Sequence, residues 1–153
     1  MSTTTTDRIE KSVLLQASRA RVWQALGNAE AFGEWFGVKL TSEFALGARI
    51  RGTITHKGYE HVPFEITIER LEPEHALSWR WHPAAIEPGA DYTSEPTTLV
   101  EFELHDAEDG TLLTVVESGF DAIPAARRAE AYRGNDEGWA GQMQAVEKYL
   151  SPS

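Results

Sequence analysis

Residues 98–118 have the sequence TLVEFELHDAEDGTLLTVVES, and this stretch decides the fold class. Val100, Phe102 and Leu104 occupy alternate positions, and a second alternating run begins after Asp109-Gly110. A period of two is typical of β-strands with one buried face, and Asp-Gly is a strong hairpin signal. We therefore predict two antiparallel strands joined by a tight turn, with one face packed on a core and the other in solvent.

Four more segments alternate in the same way and predict further strands of the same sheet. In one of them Trp79 and Trp81 share the apolar face, so Arg80 and His82 should face outward. The segments are residues 9–15, ARIRGTIT (48–55), FEITIERL (64–71) and ALSWRWH (76–82).

Two short helices are predicted between the first strand and the rest of the sheet. Ser18 is suited to cap a helix that ends near Gly27. Asn28 can cap a second helix that ends at Gly37, because glycine readily adopts the left-handed conformation that terminates helices.

The chain ends in a long helix that begins beyond Pro124. Glycine lowers helix stability by about 1 kcal/mol, so we expect a kink or fraying near Gly134, Gly138 and Gly141. A sheet wrapped on this helix would bury every apolar face, which indicates an α+β fold. Apolar residues recur at three- and four-residue steps at Tyr132, Trp139, Met143, Val146 and Leu150.

Length and composition limit the classes of protein that remain. The 153 residues are enough for one domain, which we place at residues 8–151 after a flexible polar lead-in at residues 1–7. Cysteine is absent, which excludes disulfides and thiolate metal sites and favours a cytoplasmic location. A formal net charge of −10 argues against nucleic acid as a partner. No apolar run approaches the roughly 20 residues of a membrane span, so no membrane insertion is expected.

Motifs for catalysis or cofactor binding are not found in the sequence. The five histidines do not form HExxH or another ligand spacing, so we predict no metal site. Neither GxSxG nor a glycine-rich phosphate loop occurs. We therefore name no catalytic residue and expect no cofactor.

Three parts of the chain, in order, resemble the START-like (SRPBCC) superfamily. More narrowly, they are similar to the family named after the activator of heat-shock protein 90 ATPase (AHSA). The matching parts are ASRARVWQALGNAEAFGEWFG (17–37), YEHVPFEITIERLEPEHALSWRWHP (59–83), and TLLTVVESGF (111–120) followed by NDEGWAGQMQAVEKYL (135–150).

This resemblance implies the helix-grip fold, in which a curved seven-stranded antiparallel sheet surrounds the C-terminal helix. Members of the superfamily commonly hold an elongated apolar cavity between sheet and helix. Their functions include lipid and hormone binding, polyketide cyclisation, toxin resistance and co-chaperone activity, so the fold alone does not fix the function.

Aromatic residues are the main candidates for the wall of such a cavity, although each of them could equally be packed in a filled core. Gly52 would leave room for a ligand opposite these rings. The predicted ligand-binding residues are Trp35, Phe36, Ile50, Gly52, Phe64, Trp79, Trp81, Phe102, Val115, Glu117, Phe120, Asn135 and Trp139.

Glu117 and Asn135 are the polar members of this set. Glu117 shares a strand face with Leu113 and Val115, and Asn135 precedes Trp139 by one helical turn. A carboxylate on an apolar face pairs with donors, takes a raised pKa, or lies at the mouth of a cavity. Bonding to helix backbone or arginine, which would tie the helix to the sheet, is the simpler alternative to a role in ligand binding.

Three functions agree with these observations. The first is binding of a small hydrophobic molecule, lipid-like or polyketide-like. The second is an enzyme of the polyketide cyclase/aromatase kind, with Glu117 or a histidine as general acid or base. The third is a stress-response co-chaperone that acts on heat-shock protein 90. A homodimer remains an alternative to a monomer, since no interface patch is recognisable.

Overall fold

The computed structural model describes residues 8–60, 62–83 and 95–151, so the lead-in expected at residues 1–7 lies outside the described part. Within it, seven antiparallel strands form one curved sheet in the order β1-β7-β6-β5-β4-β3-β2, with three α-helices and a short 3₁₀ helix at Phe120–Ala122. The α+β helix-grip fold is thereby confirmed. The elements are β1 (Arg8–Leu15), α1 (Arg19–Gly27), α2 (Ala29–Phe36), β2 (Val38–Leu40), β3 (Arg49–Ile54), β4 (Pro63–Glu72), β5 (Ala76–Trp81), β6 (Thr98–Ala107), β7 (Gly110–Ser118) and α3 (Ala125–Leu150).

The two short helices begin and end where the caps predict. Ser18 accepts a hydrogen bond from the Arg21 amide at 3.2 Å, and Asn28 accepts one from the Ala31 amide at 2.9 Å. Gly37 ends α2 with a φ of +92°. Phe36, the last residue of α2, contacts the rings of Phe64 and Trp81 on the sheet.

The strand β2 was not predicted, because three residues are too few to show a period. It packs against Gly52 of β3, where a Cβ would lie 2.8 Å from the Lys39 carbonyl oxygen. The missing side chain of Gly52 therefore makes room for β2 rather than for a ligand, which corrects our expectation.

The C-terminal helix runs without interruption from Ala125 to Leu150, so the fraying expected near its glycines is not observed. A Cβ on Gly134, Gly138 or Gly141 would meet no atom within 4 Å. These glycines therefore lie on open parts of the helix surface, where they do not disturb packing against the sheet. No helix in the described ranges is both long and apolar enough to cross a membrane.

Nine aromatic rings of the described residues form one connected group, which we call the aromatic cluster. Neighbouring ring centroids lie 4.7 to 6.4 Å apart. These side chains come from α2, the loop after β2, three strands and α3, and so occupy the region between sheet and helix. The members are Phe32, Trp35, Phe36, Phe44, Phe64, Trp79, Trp81, Phe102 and Trp139.

Candidate ligand-binding cleft

A cleft of about 100 Å³ lies where the aromatic cluster reaches the surface, between the end of α2, the end of β5 and the middle of α3. The resemblance implies an elongated apolar cavity between sheet and helix, but rings of the described residues occupy much of that region. The cleft is lined by Phe36, Trp81, Asn135, Gly138, Trp139 and Gln142.

Helix periodicity explains how α3 supplies four of these residues. Positions 135, 138, 139 and 142 are separated by three and four residues, so they share one helix face. Trp81 from β5 stacks on Trp139 with centroids 5.9 Å apart and an angle of 30° between the rings. The Phe36 ring completes the aromatic wall, 6.0 Å from Trp139.

A side chain–backbone bond holds the two helices together beside the cleft. Gln142 Nε2 donates to the Phe36 carbonyl oxygen at 2.9 Å, which satisfies one of the carbonyls left open at the end of α2. Gly138 leaves the helix side of the cleft open, since a Cβ there would contact nothing.

Glu117 lies directly behind the lining residues and is fully buried. Its Oε1 accepts from Trp139 Nε1 at 2.7 Å and from Asn135 Nδ2 at 2.9 Å. Its Oε2 accepts from Trp81 Nε1 at 2.8 Å and from the Thr98 hydroxyl at 2.5 Å. Two strands and α3 thus converge on one carboxylate of β7.

The four donors to Glu117 are all neutral side chains, and none of the ion pairs within the described residues includes this carboxylate. An ionised carboxylate only accepts hydrogen bonds, so indole, amide and hydroxyl donors match it. The group therefore ties helix to sheet as in the simpler alternative, but its partners on the helix are side chains of Asn135 and Trp139 rather than backbone or arginine.

The predicted site residues separate into layers. Phe36, Trp81, Asn135 and Trp139 line the cleft, and Glu117 lies behind them. Deeper in the aromatic cluster are Trp35, Phe64, Trp79 and Phe102.

Besides Gly52, three predicted residues lie outside both the cleft lining and the aromatic cluster. Phe120 packs against Tyr132 with centroids 5.2 Å apart. Ile50 pairs with Ile66 across β3 and β4 and is fully buried. Val115 is fully buried on β7, two residues before Glu117.

Sequence reasoning missed three residues of the site. Gly138 and Gln142 lie three residues from Asn135 and Trp139 respectively, so helical spacing from the predicted pair could have identified them. Thr98 is different, because its contact with Glu117 depends on the pairing of β6 with β7, which no pattern in the sequence specifies.

Titratable side chains of the described residues do not line the cleft. His56, His75 and His105 are exposed, His82 lies with a ring nitrogen 3.0 Å from the Glu95 carbonyl oxygen, and His61 is outside the described residues. No group of three potential metal ligands occurs among the described side chains.

The groups with clearly displaced pKa values lie elsewhere. Burial, together with Glu34, raises the pKa of Tyr149 near the end of α3. On β4, a hydrogen bond from Arg70 lowers the pKa of Glu72.

The sheet order, the long helix and the cleft between them define a START-like domain of the helix-grip class. Within that class, the sequence model of the Activator of Hsp90 ATPase homolog 1-like proteins matches residues 16–151. The chain belongs to this family. No curated protein matches it.

Solved structures share the fold at low sequence identity. Protein MLL2253 from Mesorhizobium loti is 26% identical with a TM-score of 0.70, over 94% of this chain and 96% of that one. DynU16, from the dynemicin biosynthetic locus, is 23% identical with a TM-score of 0.72, over 94% of this chain but 47% of its own, so this chain spans about half its length. The Aha1 dimer from Colwellia psychrerythraea is 15% identical with a TM-score of 0.69, over 94% and 95% of the two chains.

Proposed function

We propose that this domain binds a small apolar or aromatic molecule, lipid-like or polyketide-like, at the cleft. The observation that carries the proposal is an open space bordered by Phe36, Trp81 and Trp139 next to Gly138. Sites for small molecules are concave and mostly apolar, with a few polar groups that orient the ligand. Asn135 supplies such a group, because its Nδ2 is bonded to Glu117 and its Oδ1 receives no hydrogen bond from the described residues.

The volume of the cleft limits how a ligand enters. At about 100 Å³ it is smaller than the cavity of about 150 Å³ that encloses benzene in an engineered protein. A ligand would therefore insert one edge between the rings and extend outward, or displace a ring. Stacking of a planar ligand on Trp81 or Phe36 would add to the area that it buries.

The geometry favours binding over acid–base chemistry by Glu117. A general acid or base must reach the substrate directly or through one water. Glu117 is fully buried, and four protein donors already engage its two oxygens. The origin of DynU16 in a biosynthetic locus supports a biosynthetic small molecule as ligand.

A co-chaperone role in the stress response is the second candidate, favoured by membership in the family of Hsp90-activator homologues. We place this activity in the cytoplasm, and the dimeric Aha1 neighbour supports a homodimer as the acting form. Its test is the ATPase rate of purified heat-shock protein 90 with and without this domain. A rise in that rate supports the role, and an unchanged rate at a saturating concentration of the domain contradicts it.

The test of ligand binding is to fill the cleft. Gly138→Leu places a side chain in the open space, whereas Gly141→Leu adds the same side chain to the same helix away from the lining. The apolar fluorophore N-phenyl-1-naphthylamine serves as probe, and native mass spectrometry with organic extraction looks for a co-purified molecule.

We expect one probe molecule per chain in the wild-type protein and in Gly141→Leu. In Gly138→Leu the affinity should fall by about tenfold or more, since several apolar contacts are lost. Equal affinity in both variants would place the probe elsewhere and contradict the proposal. Circular dichroism checks that both variants fold.

A further inference from the structure

The indole N–H of Trp79 is buried without a hydrogen-bond partner among the residues that the structure describes. Trp79 is fully buried near the middle of β5. Its neighbours in the aromatic cluster differ in this respect. Trp35 Nε1 donates to the Ala25 carbonyl oxygen at 2.7 Å, and the indoles of Trp81 and Trp139 donate to Glu117.

An unpaired donor at this depth is costly. A buried polar group that has lost its hydrogen bonds to water and gained none in the protein destabilises the fold, and native structures contain few such groups. The rings around Trp79 are those of Phe32 at 5.6 Å, Phe102 at 5.2 Å, Trp81 at 5.6 Å and Phe36 at 6.4 Å. Contacts of an N–H with a ring face are weak. A buried water needs two to four polar partners, which these rings do not provide.

Trp79 lies one ring layer below the cleft. Phe36 and Trp81 both contact it, and both also line the cleft. Phe36 is only partly buried and is the last residue of α2, followed by Gly37 with its positive φ. If the Phe36 ring turns outward, the space it leaves is bordered by Phe64, Trp79 and Trp139.

The other indole donors at this site are already used. Trp81 and Trp139 donate hydrogen bonds to Glu117, and this carboxylate accepts hydrogen bonds from four side chains in all. Glu117 therefore has little capacity to accept a hydrogen bond from a ligand. Trp79 Nε1 can only donate a hydrogen bond, so a ligand group that reaches it must be an acceptor.

We infer that the ligand is an aromatic or conjugated molecule with a carbonyl-type oxygen, that its ring takes the place of the Phe36 ring, and that its oxygen accepts a hydrogen bond from Trp79 Nε1. This inference rests on the proposed function, because it names the ligand class of the same cleft. It also explains how a cleft of about 100 Å³ accommodates a whole ring, since the ligand ring and the Phe36 ring exchange.

The test compares two ligands that differ only at the acceptor. 2-Acetylnaphthalene carries a carbonyl oxygen, and 2-isopropenylnaphthalene has a methylene group in its place. Phe36→Ala opens the space, and Phe36→Ala with Trp79→Phe also removes the N–H while keeping a ring. Phe36→Ala with Trp23→Phe is the matched control, because Trp23 packs on Gly27 of α1 and does not line the cleft.

We expect the ketone-to-alkene affinity ratio in Phe36→Ala to exceed the ratio in the Trp79→Phe double variant by about tenfold, the value of one hydrogen bond. The Trp23→Phe double variant should keep the ratio of Phe36→Ala. Comparing ratios cancels the difference in hydrophobicity between the two ligands.

The outcomes separate this inference from the proposed function. If both ligands bind with a ratio that does not depend on Trp79, the cleft binds aromatics and the inference is wrong. If neither ligand binds to Phe36→Ala or to the wild-type protein, the inference is wrong and the proposed function loses its support as well.

A second measurement does not depend on the stability of the Trp79→Phe variant. In Phe36→Ala, the ¹⁵N–¹H spectrum of the indole groups should show one resonance that moves downfield with the ketone and not with the alkene. Equal spectra with both ligands would overturn the inference.

Discussion

Trp139 Nε1 donates a hydrogen bond to Glu117 Oε1 across 2.7 Å, and this bond joins the middle of α3 to the end of β7. Both residues are buried, so the bond is screened little by solvent. Asn135, one turn earlier on the helix, donates to the same carboxylate. Three residues that line the cleft, Trp81, Asn135 and Trp139, are therefore held in place by hydrogen bonds to Glu117.

Replacement of Glu117 by glutamine should destabilise the domain markedly. In glutamine an NH₂ group replaces one of the two carboxylate oxygens. This NH₂ is itself a donor, so it cannot accept the hydrogen bonds that the replaced oxygen accepted. The loss should be about 2–3 kcal/mol in the free energy of unfolding, because buried donors are left without an acceptor. Urea denaturation followed by circular dichroism measures it.

Glu101→Gln is the matched control for this substitution. Glu101 lies on the neighbouring strand β6, where its side chain is on the opposite face from Val100 and Phe102. Its replacement should change the free energy of unfolding by less than about 0.5 kcal/mol, as is usual at the surface. Similar losses in both variants would mean that the four hydrogen bonds to Glu117 contribute no more to the free energy of unfolding than Glu101 does.

Glu117 shows which features of the site can be predicted from sequence patterns and which cannot. The period of two placed it on the apolar face with Leu113 and Val115, and all three are buried on one face of β7. Its donors could not be predicted, because Trp81 and Thr98 reach it only through the pairing of three strands. A shift of one residue in that pairing would turn each side chain to the other face.

The same limit applies to the aromatic residues. Alternation correctly placed Trp79 and Phe102 on the inner face, because this needs only the local period. Whether they surround a space or fill it depends on how α2 and α3 approach the sheet, which is set by packing over the whole domain. Gly52 shows this most clearly, since the space beside it is taken by β2.

Alanine at the glycines of α3 should stabilise the domain. Gly134, Gly138 and Gly141 lie inside the helix, and a Cβ at each would contact nothing. Each substitution should raise the free energy of unfolding by about 0.5–1 kcal/mol, because alanine has the higher helix propensity. Thermal and urea unfolding of the three single variants and of the triple variant measure the gains, and the sum should be close to additive.

Gly37→Ala provides the opposite control. Gly37 ends α2 with a φ of +92°, and a Cβ there would lie 2.5 Å from His56 Nε2. Alanine should therefore lower stability at this position. A loss at the three helix positions would show that helix propensity does not govern them, and a gain at Gly37 would contradict the strain that we assign to its positive φ and to His56.

The Arg70–Glu72 pair predicts a defined change in titration. The hydrogen bond from Arg70 Nε to Glu72 Oε2, at 2.7 Å, holds the pKa of Glu72 below its ordinary value. Because the folded pKa is lowered, the stabilisation from this pair is present above the unfolded pKa and is lost as the pH falls through the folded pKa. Arg70→Gln should raise the pKa of Glu72, as measured by NMR of its side-chain carboxyl carbon.

Arg49→Gln tests whether this effect is local. Arg49 is an exposed arginine on β3 whose ion pair is with Glu65 rather than Glu72. The titration midpoint of Glu72 should stay unchanged in this variant. If the titration midpoint of Glu72 shifts equally in both variants, the loss of one positive charge, rather than the loss of the hydrogen bond, causes the shift.

Thr98→Val and Thr111→Val compare two buried hydroxyl groups, one bonded to a side-chain carboxyl group and the other to a backbone carbonyl group. The Thr98 hydroxyl donates to Glu117 Oε2 at 2.5 Å, and the Thr111 hydroxyl donates to the Ala17 carbonyl oxygen at 2.9 Å. Valine keeps the shape of each side chain and removes only the hydrogen bond. Both threonines are almost completely buried, so burial does not distinguish them.

We expect Thr98→Val to lose about 1.5–3 kcal/mol in the free energy of unfolding and Thr111→Val about 0.5–1.5 kcal/mol, since bonds to charged groups are stronger. The larger loss at Thr98 should also lower the affinity of the cleft for N-phenyl-1-naphthylamine, because Glu117 would hold Trp81 and Asn135 less firmly. Thr111, which bonds to the chain just before α1, should leave that affinity unchanged. Equal losses of stability would contradict a stronger hydrogen bond at Glu117 than at the Ala17 carbonyl oxygen. An unaltered affinity in Thr98→Val would show that the bond to Glu117 does not influence ligand binding at the cleft.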